Sequence, residues 1–420
     1  MTTAHEDHVH MFEVGPRAED LARCVHCGFC LQACPTYVIT SLETESPRGR
    51  IQLAKALSQG EIEATPNVVA HFDLCLQCRA CETACPSGVP YGRIIEGARA
   101  LVQSNPDRPR SWKLRAFALR TLFASPYRLS AMFAALRFYQ RTPLAPLVRR
   151  VLPRRLRQME AMLPRLPAQP FDPPVVAANP AGAVKANVAL LSGCIMRLTH
   201  PQTHEATVRV LARNGMRVLV PKQQGCCGAL HVHNGDPEAA RTLARRNIDA
   251  FLDSGADFIA VNSAGCGSAM KEYDELFADD KAYAEKARRF VAKVRDVTEL
   301  LTETGFVAPT GRVEAQVTYQ DSCHLVHAQR IRQAPRELLR SIPGVELVEM
   351  ATPDRGCGSA GIYNITQTEM SRRLLEDKMD DVLATSCGVI STANPGCMLQ
   401  LDLGVRLRDG SQEVVHVIEL

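Results

Sequence analysis

The sequence predicts a multidomain α+β chain: a small helical, cysteine-rich domain first, then a duplicated α/β unit built on parallel strands. Three observations carry that prediction. Eight of the 16 cysteines lie between residues 24 and 85, none lies between Cys85 and Cys194, and eight follow. Cys194, Cys227 and Cys266 recur as Cys323, Cys357 and Cys397 at offsets of 129, 130 and 131 residues, a drift small enough for a tandem duplication. Around those cysteines, short apolar runs alternate with amphipathic helical ones, which is the pattern of βαβ units.

These features divide the chain into a domain over residues 1–100, a basic connector and Pro-rich linker over 101–183, and two α/β domains over 184–305 and 306–420. With 420 residues and a hydrophobic fraction of 46%, the chain can bury a core in each unit. A formal charge of +4 is too small at this length to point to nucleic acid. The opening MTTAHEDHVHMFEVG is polar and mixed, unlike a secretory signal, and no apolar run approaches the ~18 residues of a spanning helix. We therefore expect a cytoplasmic protein. Thiols in a reducing compartment seldom form structural disulfides, and tight groups of them read as metal ligands.

Residues 24–35 read CVHCGFCLQACP and residues 75–86 read CLQCRACETACP. Both fit C-x2-C-x2-C-x3-C-P, the bacterial ferredoxin run, in which three thiolates hold one cluster and the fourth crosses to the other. That spacing assigns Cys24, Cys27, Cys30 and Cys85 to one 4Fe-4S cluster, and Cys75, Cys78, Cys81 and Cys34 to a second. A pair of zinc ribbons fits less well: zinc fills with four ligands, usually as separated pairs, and Pro35 and Pro86 have no place in them. Between the motifs SPRGRIQLAKALSQG reads as a helix, so the domain is a helical two-cluster ferredoxin domain, a short wire for single electrons.

The connector is basic. From 101 to 170 there are 14 Lys or Arg residues against only Asp107 and Glu160, interleaved with Trp112, Phe117, Phe123, Phe133, Phe138 and Tyr139. Basic residues among large apolar ones suggest a surface helix lying on anionic lipid, a peripheral contact through residues 101–165; a helical connector packed on a partner subunit has the same composition. PRLPAQPFDPPVVAANPAG, residues 164–182, reads as an extended linker.

In the duplicated unit ANVALLSGC reads as a strand, QTHEATVRVLARNG as a helix ended by Gly215, MRVLVP as a second strand, Asp236-Pro237 as a helix start and DFIAVNSAGC as a third strand. VTYQDSC, VELVEM and GVISTANPGC fill the same strand slots in the second copy, and AARTLARRNIDAF aligns with MSRRLLEDKMDDV. Each cysteine falls in a loop after a strand. In an open parallel sheet ligands bind at the carboxyl ends of strands, so these loops should converge.

Cys194, Cys226, Cys227 and Cys266 supply four thiolates in the first copy, enough for a third iron-sulfur cluster, although buried reduced cysteines would also suit the pattern. Adjacent Cys226 and Cys227 are poorly placed to bridge each other, since bridged Cα atoms normally stand farther apart than neighbours do. The second copy has Gly356 in place of the first thiol of the pair, leaving Cys323, Cys357 and Cys397, with Cys387 as a substitute and thus a weaker ligand set. GCGSAG at 356–361 satisfies G-x-G-x-x-G, but its register with GCCGAL makes a duplicated cysteine loop the better explanation. His324 and His327 share the Cys323 loop and are candidate proton donors, as are His231 and His233 after the cysteine pair; capping or surface roles suit them equally.

Taken together, CVHCGFCLQACPTY, the PRGR segment, CRACETACPSGV, the GCCGA and GCGSAG loops and the late ANPGC resemble the iron-sulfur subunit of bacterial glycolate oxidase over nearly the whole chain. The resemblance implies a ferredoxin domain joined to two cysteine-rich domains of the heterodisulfide reductase type. It implies an electron carrier beside an FAD-containing subunit that oxidises glycolate to glyoxylate, with no FAD or NAD on this chain and no glycolate oxidation by the chain alone. Electrons would go on to a membrane acceptor, a quinone, at the inner face of the cell membrane. Families of the same architecture serve lactate and glycerol 3-phosphate oxidation, and a thiol-disulfide reductase is the rival from another class. The full cysteine-rich motif ends in CxxC, whereas Cys266 is followed by Gly-Ser-Ala and Cys397 by Met-Leu-Gln.

Overall fold

The computed structural model describes residues 15–103, 110–123, 125–153, 157, 160 and 163–420. The amino-terminal stretch read for a signal, through residue 14, and Asp107 lie outside them, as does the side chain of Trp112.

Helices build the first hundred residues. The helix expected between the cysteine motifs is α1, Pro47–Ser58: Ser46 caps it by accepting from the Gly49 amide at 3.0 Å, and Pro47 fills the first position, where no amide proton is needed. A Cβ at Gly49 would collide with the Glu43 carbonyl, so the chain entering α1 can pass only over a glycine. Ile51, Ala54 and Leu57 of α1 pack with Phe72 and with Ile94, Ile95 and Ala98 of α2, Tyr91–Gln103, and that small core holds the two cysteine loops. Two further helices follow, α3, Arg110–Phe123, and α4, Pro126–Arg141.

The remainder is two parallel sheets of one topology. The first carries β1, Val176–Ala178, β2, Ala186–Leu190, β3, Met216–Leu219, β4, Phe258–Val261, and β5, Val294–Asp296, in the order β1-β3-β2-β4-β5. The second carries β6, Ala315–Tyr319, β7, Val345–Leu347, β8, Val389–Thr392, and β9, Glu413–His416, in the order β7-β6-β8-β9. All pairs are parallel except β1 with β3. Without β1 the two orders are the same, so the duplication seen in the cysteine spacing is a duplication of fold. In each sheet the chain leaves the central strand, β2 or β6, to opposite sides, and a ligand crevice opens at such a reversal.

Three segments differ from the sequence-based expectation. β5 and β9 extend the sheets where no strand was read, and the Pro-rich stretch is not a free linker: its Val176–Ala178 pairs antiparallel with β3, and Phe171 is buried in the core beside it. Pro173 and Pro174 confine this segment to a sheet edge, where a missing amide donor costs nothing. One apolar core runs through both units, with Val188 and Leu190 of β2 and Val317 and Tyr319 of β6 in the same cluster. The helical domain sits against both sheets: Tyr363 donates to the Leu74 carbonyl at 2.9 Å, Arg99 to the His233 carbonyl at 2.7 Å, and Arg79 pairs with Glu272.

Candidate functional site

The two ferredoxin-type loops are built alike. His26 and Gly28 in the first and Gln77 and Arg79 in the second occupy matching positions, and all four adopt the left-handed conformation, with φ of 54°, 87°, 53° and 63°. Such residues turn successive amides toward one centre, a concavity suited to an anionic iron-sulfur group. Arg79 has no glycine's freedom there and is held by Glu82 at 3.0 Å and by Glu272.

Cys24, Cys27, Cys30, Cys81 and Cys85 edge one small cavity, and Cys34, Cys75, Cys78 and Cys81 edge another. Cys85 thus stands with the cysteines of the first motif and Cys34 with those of the second, while Cys81 borders both cavities. Among the described residues no three His, Cys, Asp or Glu side chains converge as ligands of a single metal ion, whereas ligands to separate corners of a cluster need not do so. Burial lifts the Cys30 thiol to about 11 and holds Cys78 and Cys81 well above the ordinary thiol range. Thiols so placed are weak free nucleophiles that need a metal to displace their protons.

Beneath the second set lies a group of residues the sequence did not announce. Arg50 is 1% exposed; it donates to the carbonyls of His71 and Glu45 at 2.7 Å each and to Thr36 Oγ1 at 3.1 Å. Glu45 answers with one carboxylate oxygen 2.5 Å from Arg50 and the other 2.5 Å from His71 Nδ1. The guanidinium faces the cavity of Cys34 and Cys75, where a fixed cation favours thiolates and added electrons.

In the first cysteine-rich unit the predicted thiols do come together. Cys226 receives hydrogen bonds from the thiols of Cys194 and Cys227 and, at 3.5 Å, from the Gly228 amide, which together hold its pKa well below the ordinary value. Cys227 in turn is bonded to Cys266, so the four sulfurs form one chain. Asn247 fixes the loop by donating to the Cys226 carbonyl at 2.9 Å and accepting from the Gly225 amide at 2.9 Å.

The second unit keeps the frame with altered chemistry. A Cβ at Gly356 would stand 3.5 Å from Cys323 Sγ, the position Cys226 fills in the first copy. Cys357 and Cys397 are hydrogen-bonded, and Cys397, which also receives bonds from Asn394 and Ser322, is lowered to about 7. Lys378 occupies the register position of Asn247; its Nζ is buried, donates to the Thr352 carbonyl at 2.6 Å and is held low by desolvation. Cys387 does not join this group. It precedes β8 rather than following it, so it stands at the opposite edge of the sheet, with its sulfur on the Thr385 carbonyl at 3.7 Å.

All three units enclose a central cavity of about 450 Å³, lined by the Cys75–Cys78 loop, by Cys194, Cys227 and Cys266, and by Cys323, Cys357 and Cys397. The GCGSAG loop lines it in register with GCCGAL, as a duplicated cysteine loop should. His324 opens one turn of π-helix, His324–Ala328, and faces the cavity. Its Nε2 donates to the Gln77 carbonyl at 2.8 Å, and burial holds the ring neutral, down to about 3. His327 is turned away: Nδ1 bonds Thr83 Oγ1 at 2.9 Å and Nε2 the Asp354 carbonyl at 3.2 Å, so both nitrogens are engaged in joining the units. His233 lines the cavity with Nδ1 on Glu96 at 2.9 Å, while His231 is buried outside it, beside Asp236.

The sequence pattern of a 4Fe-4S dicluster domain matches residues 20–89, that of a cysteine-rich domain matches 188–271 and 317–402, and that of a glycolate oxidase iron-sulfur subunit linker region matches 112–163. The chain is 41% identical over 419 residues to the "Probable glycolate oxidase iron-sulfur subunit" of Bacillus subtilis, covering 96% of this chain and 93% of that one. It is 35% identical to the glycolate oxidase iron-sulfur subunit of Escherichia coli, over 95% of this chain and 93% of the other. Lactate utilization protein A of Shouchella clausii is 30% identical over 56% of this chain and 98% of its own. A crystal structure of a hypothetical protein from Helicobacter pylori shares the fold at a TM-score of 0.55 and 9% identity, over 98% of this chain and 75% of that one.

Proposed function

The chain belongs to the family of glycolate oxidase iron-sulfur subunits, and on that premise we propose a route for its electrons. It is the electron-transfer subunit of an oxidoreductase complex. A flavin-bearing partner oxidises glycolate to glyoxylate; this chain takes the electrons and hands them to an acceptor in the membrane.

The observation that carries the reading is the crossed grouping of thiols. Cys24, Cys27, Cys30 and Cys85 hold one 4Fe-4S cluster, and Cys75, Cys78, Cys81 and Cys34 the other. Such a cluster accepts and releases one electron at a time. The chain's own part is to bury Arg50 beside the second set and to set that set against the central cavity through Cys75 and Cys78. The bonded thiols of Cys194, Cys226, Cys227 and Cys266 support a third cluster; in the second copy, three thiols and a buried lysine do not.

Glycolate is preferred over lactate because the likeness to glycolate oxidase subunits runs the length of the chain, while that to the lactate utilization protein covers 56% of it. Among the described residues no helix is long and apolar enough to cross a membrane. Contact with the inner face of the membrane falls to α3 and α4, whose Leu114, Phe117, Tyr127 and Phe138 are 65–87% exposed among basic side chains.

The test is iron and acid-labile sulfide per chain after anaerobic purification, followed by electron paramagnetic resonance (EPR) with glycolate and the flavoprotein partner. About twelve irons per chain, reduced by glycolate only when the partner is present, is the expected result. Glycolate turnover by the isolated chain, or a chain that purifies with zinc in place of iron, would overturn it.

A further inference from the structure

The two cysteine-rich units differ by one sulfur, and its loss changes how the others are connected. In the first copy Cys226 joins Cys194 to Cys227, and Cys227 joins Cys266, so four thiols run in one chain. In the second copy Gly356 stands where Cys226 would, beside Cys323 Sγ, and the bridging sulfur is missing. What remains is a hydrogen-bonded pair, Cys357 and Cys397, with Cys323 as a third thiol nearby. A cluster of the usual kind takes four ligands, and Cys387 stands at the wrong edge of the sheet to complete a set. Two thiols already in contact are instead the two halves of a disulfide.

The pair is polarised. Cys397 Sγ accepts from the Cys357 thiol, from Ser322 and, at 3.5 Å, from Asn394 Nδ2. It also stands third in the helix Pro395–Leu407, whose first-turn amides favour a thiolate. Cys397 is thus the nucleophile, and Cys357, which donates to it, is the neighbour able to displace whatever Cys397 captures. Both are shielded from bulk solvent, at 6% and 3% exposed, yet both line the central cavity on the side that the second copy contributes. Leu76, Leu230 and Ile362 share that wall, which suits a small molecule of low polarity.

We propose that Cys397 and Cys357 form a redox-active dithiol that exchanges with small disulfides admitted to the central cavity. The Cys397 thiolate attacks one sulfur of the incoming disulfide, forms a mixed disulfide and releases one thiolate. Cys357 then attacks Cys397 Sγ, which closes the Cys357–Cys397 bond and releases the second. The two protons lost by the protein thiols pass to the two released thiolates, so the small disulfide gains two electrons and the protein loses two. Excess small thiol runs the same steps backwards. The site lies outside the electron route assigned above and needs no iron, so it stands or falls separately from that route.

The test exposes the anaerobically purified full chain to 2-hydroxyethyl disulfide, alkylates the remaining thiols without reduction and maps the peptides by mass spectrometry. The expected product is a bridge between the Cys357 and Cys397 peptides, formed at unchanged iron content and reopened by excess 2-mercaptoethanol. Cys357→Ser should stop the reaction at a mixed disulfide on Cys397. Cys397→Ser should slow consumption of the disulfide roughly ten-fold or more, and Cys323→Ser should leave the bridge intact. A wild-type chain whose Cys357 and Cys397 both stay open to alkylation after prolonged exposure would overturn the dithiol. So would a bridge that recruits Cys323 or Cys226 instead, or loss of iron from a folded Cys357→Ser chain. The bridge itself is read on the wild type, so the proposal can fail even where a variant does not fold.

Discussion

Arg50 and Glu45 form an ion pair of 2.5 Å whose side chains are 1% and 7% exposed, directly below the cavity edged by Cys34 and Cys75. Two charges so far from water hold only because each has further partners, the backbone carbonyls for Arg50 and His71 for Glu45. Removing the guanidinium strands the carboxylate. Arg50→Met is expected to cost about 3–5 kcal/mol of stability. It should also shift the reduction potential of the neighbouring site to more negative values, because a fixed positive charge has gone. Arg50→Lys should recover more of the potential than of the stability, since it keeps the charge and loses the fork. Denaturant unfolding and a redox titration followed by EPR separate the two effects.

Crossed ligation makes a sharper prediction than iron content alone. Cys34 shares a motif with Cys24 and a cavity with Cys78. Cys34→Ser and Cys78→Ser should therefore alter the same EPR signal, and Cys24→Ser a different one, each with loss of up to about four irons. If Cys34→Ser and Cys24→Ser altered the same signal, each motif would be a self-contained site.

The exposed faces of α3 and α4 should show themselves in lipid binding. The full chain is expected to sediment with vesicles containing anionic lipid, to bind neutral vesicles more weakly, and to be released by salt. Phe117→Glu and Phe138→Glu, at positions 65% exposed, should reduce binding with little effect on unfolding. Equal binding to neutral and anionic vesicles would leave the basic residues without this role.

Acid should destabilise the paired sheets through two buried histidines. His204 donates from Nε2 to the Ser192 carbonyl and accepts at Nδ1 from Asn262; His416 donates from Nε2 to the Asn262 carbonyl and accepts at Nδ1 from the Ile418 amide. Each is locked as the neutral form, and burial lowers both to about 3 from an ordinary 6.5. Between those values the unfolded chain binds more protons than the folded one, so stability falls as pH drops through that window. The slope is roughly 1.4 kcal/mol per pH unit for each histidine. His416→Gln should be less stable near neutrality and show a slope shallower by about one proton, read from urea midpoints across the pH range.

Much of this was legible in the sequence because it is local. Ligand spacing is a matter of a dozen residues, and the six strands that were read, β2 to β4 and β6 to β8, are apolar runs, all of them interior to their sheets except β7. The missed strands β1, β5 and β9 are edge strands of three or four residues; β7 is as short and also at an edge, but the run VELVEM extends beyond its paired residues. Nor could the sequence place His324 on Gln77, a contact across 247 residues, or bring Arg50 under Cys34. Cys387 misled because composition gives no edge: a thiol before a strand and one after it look alike until the sheet is formed.

The pair Asn247 and Lys378 shows how the duplicated units parted. Both are buried on the helix that follows the cysteine loop, Pro237–Asp253 in the first copy and Thr368–Ala384 in the second. Asn247 is neutral and spends its hydrogen bonds on the backbone of a loop with two cysteines. Lys378, paired with Asp381 at 3.7 Å, stands beside a loop that has lost one of them and favours the ionised form of Cys397. The first copy should therefore hold iron and the second should not. Cys227→Ser is expected to lower the iron content from about twelve to about eight per chain, and Cys397→Ser to leave it unchanged. Lys378→Met should slow alkylation of Cys397 at pH 8, because the thiol loses a neighbour that favours its ionised form. A loss of iron in Cys397→Ser equal to that in Cys227→Ser would mean that both copies bind clusters and that the lysine has another purpose.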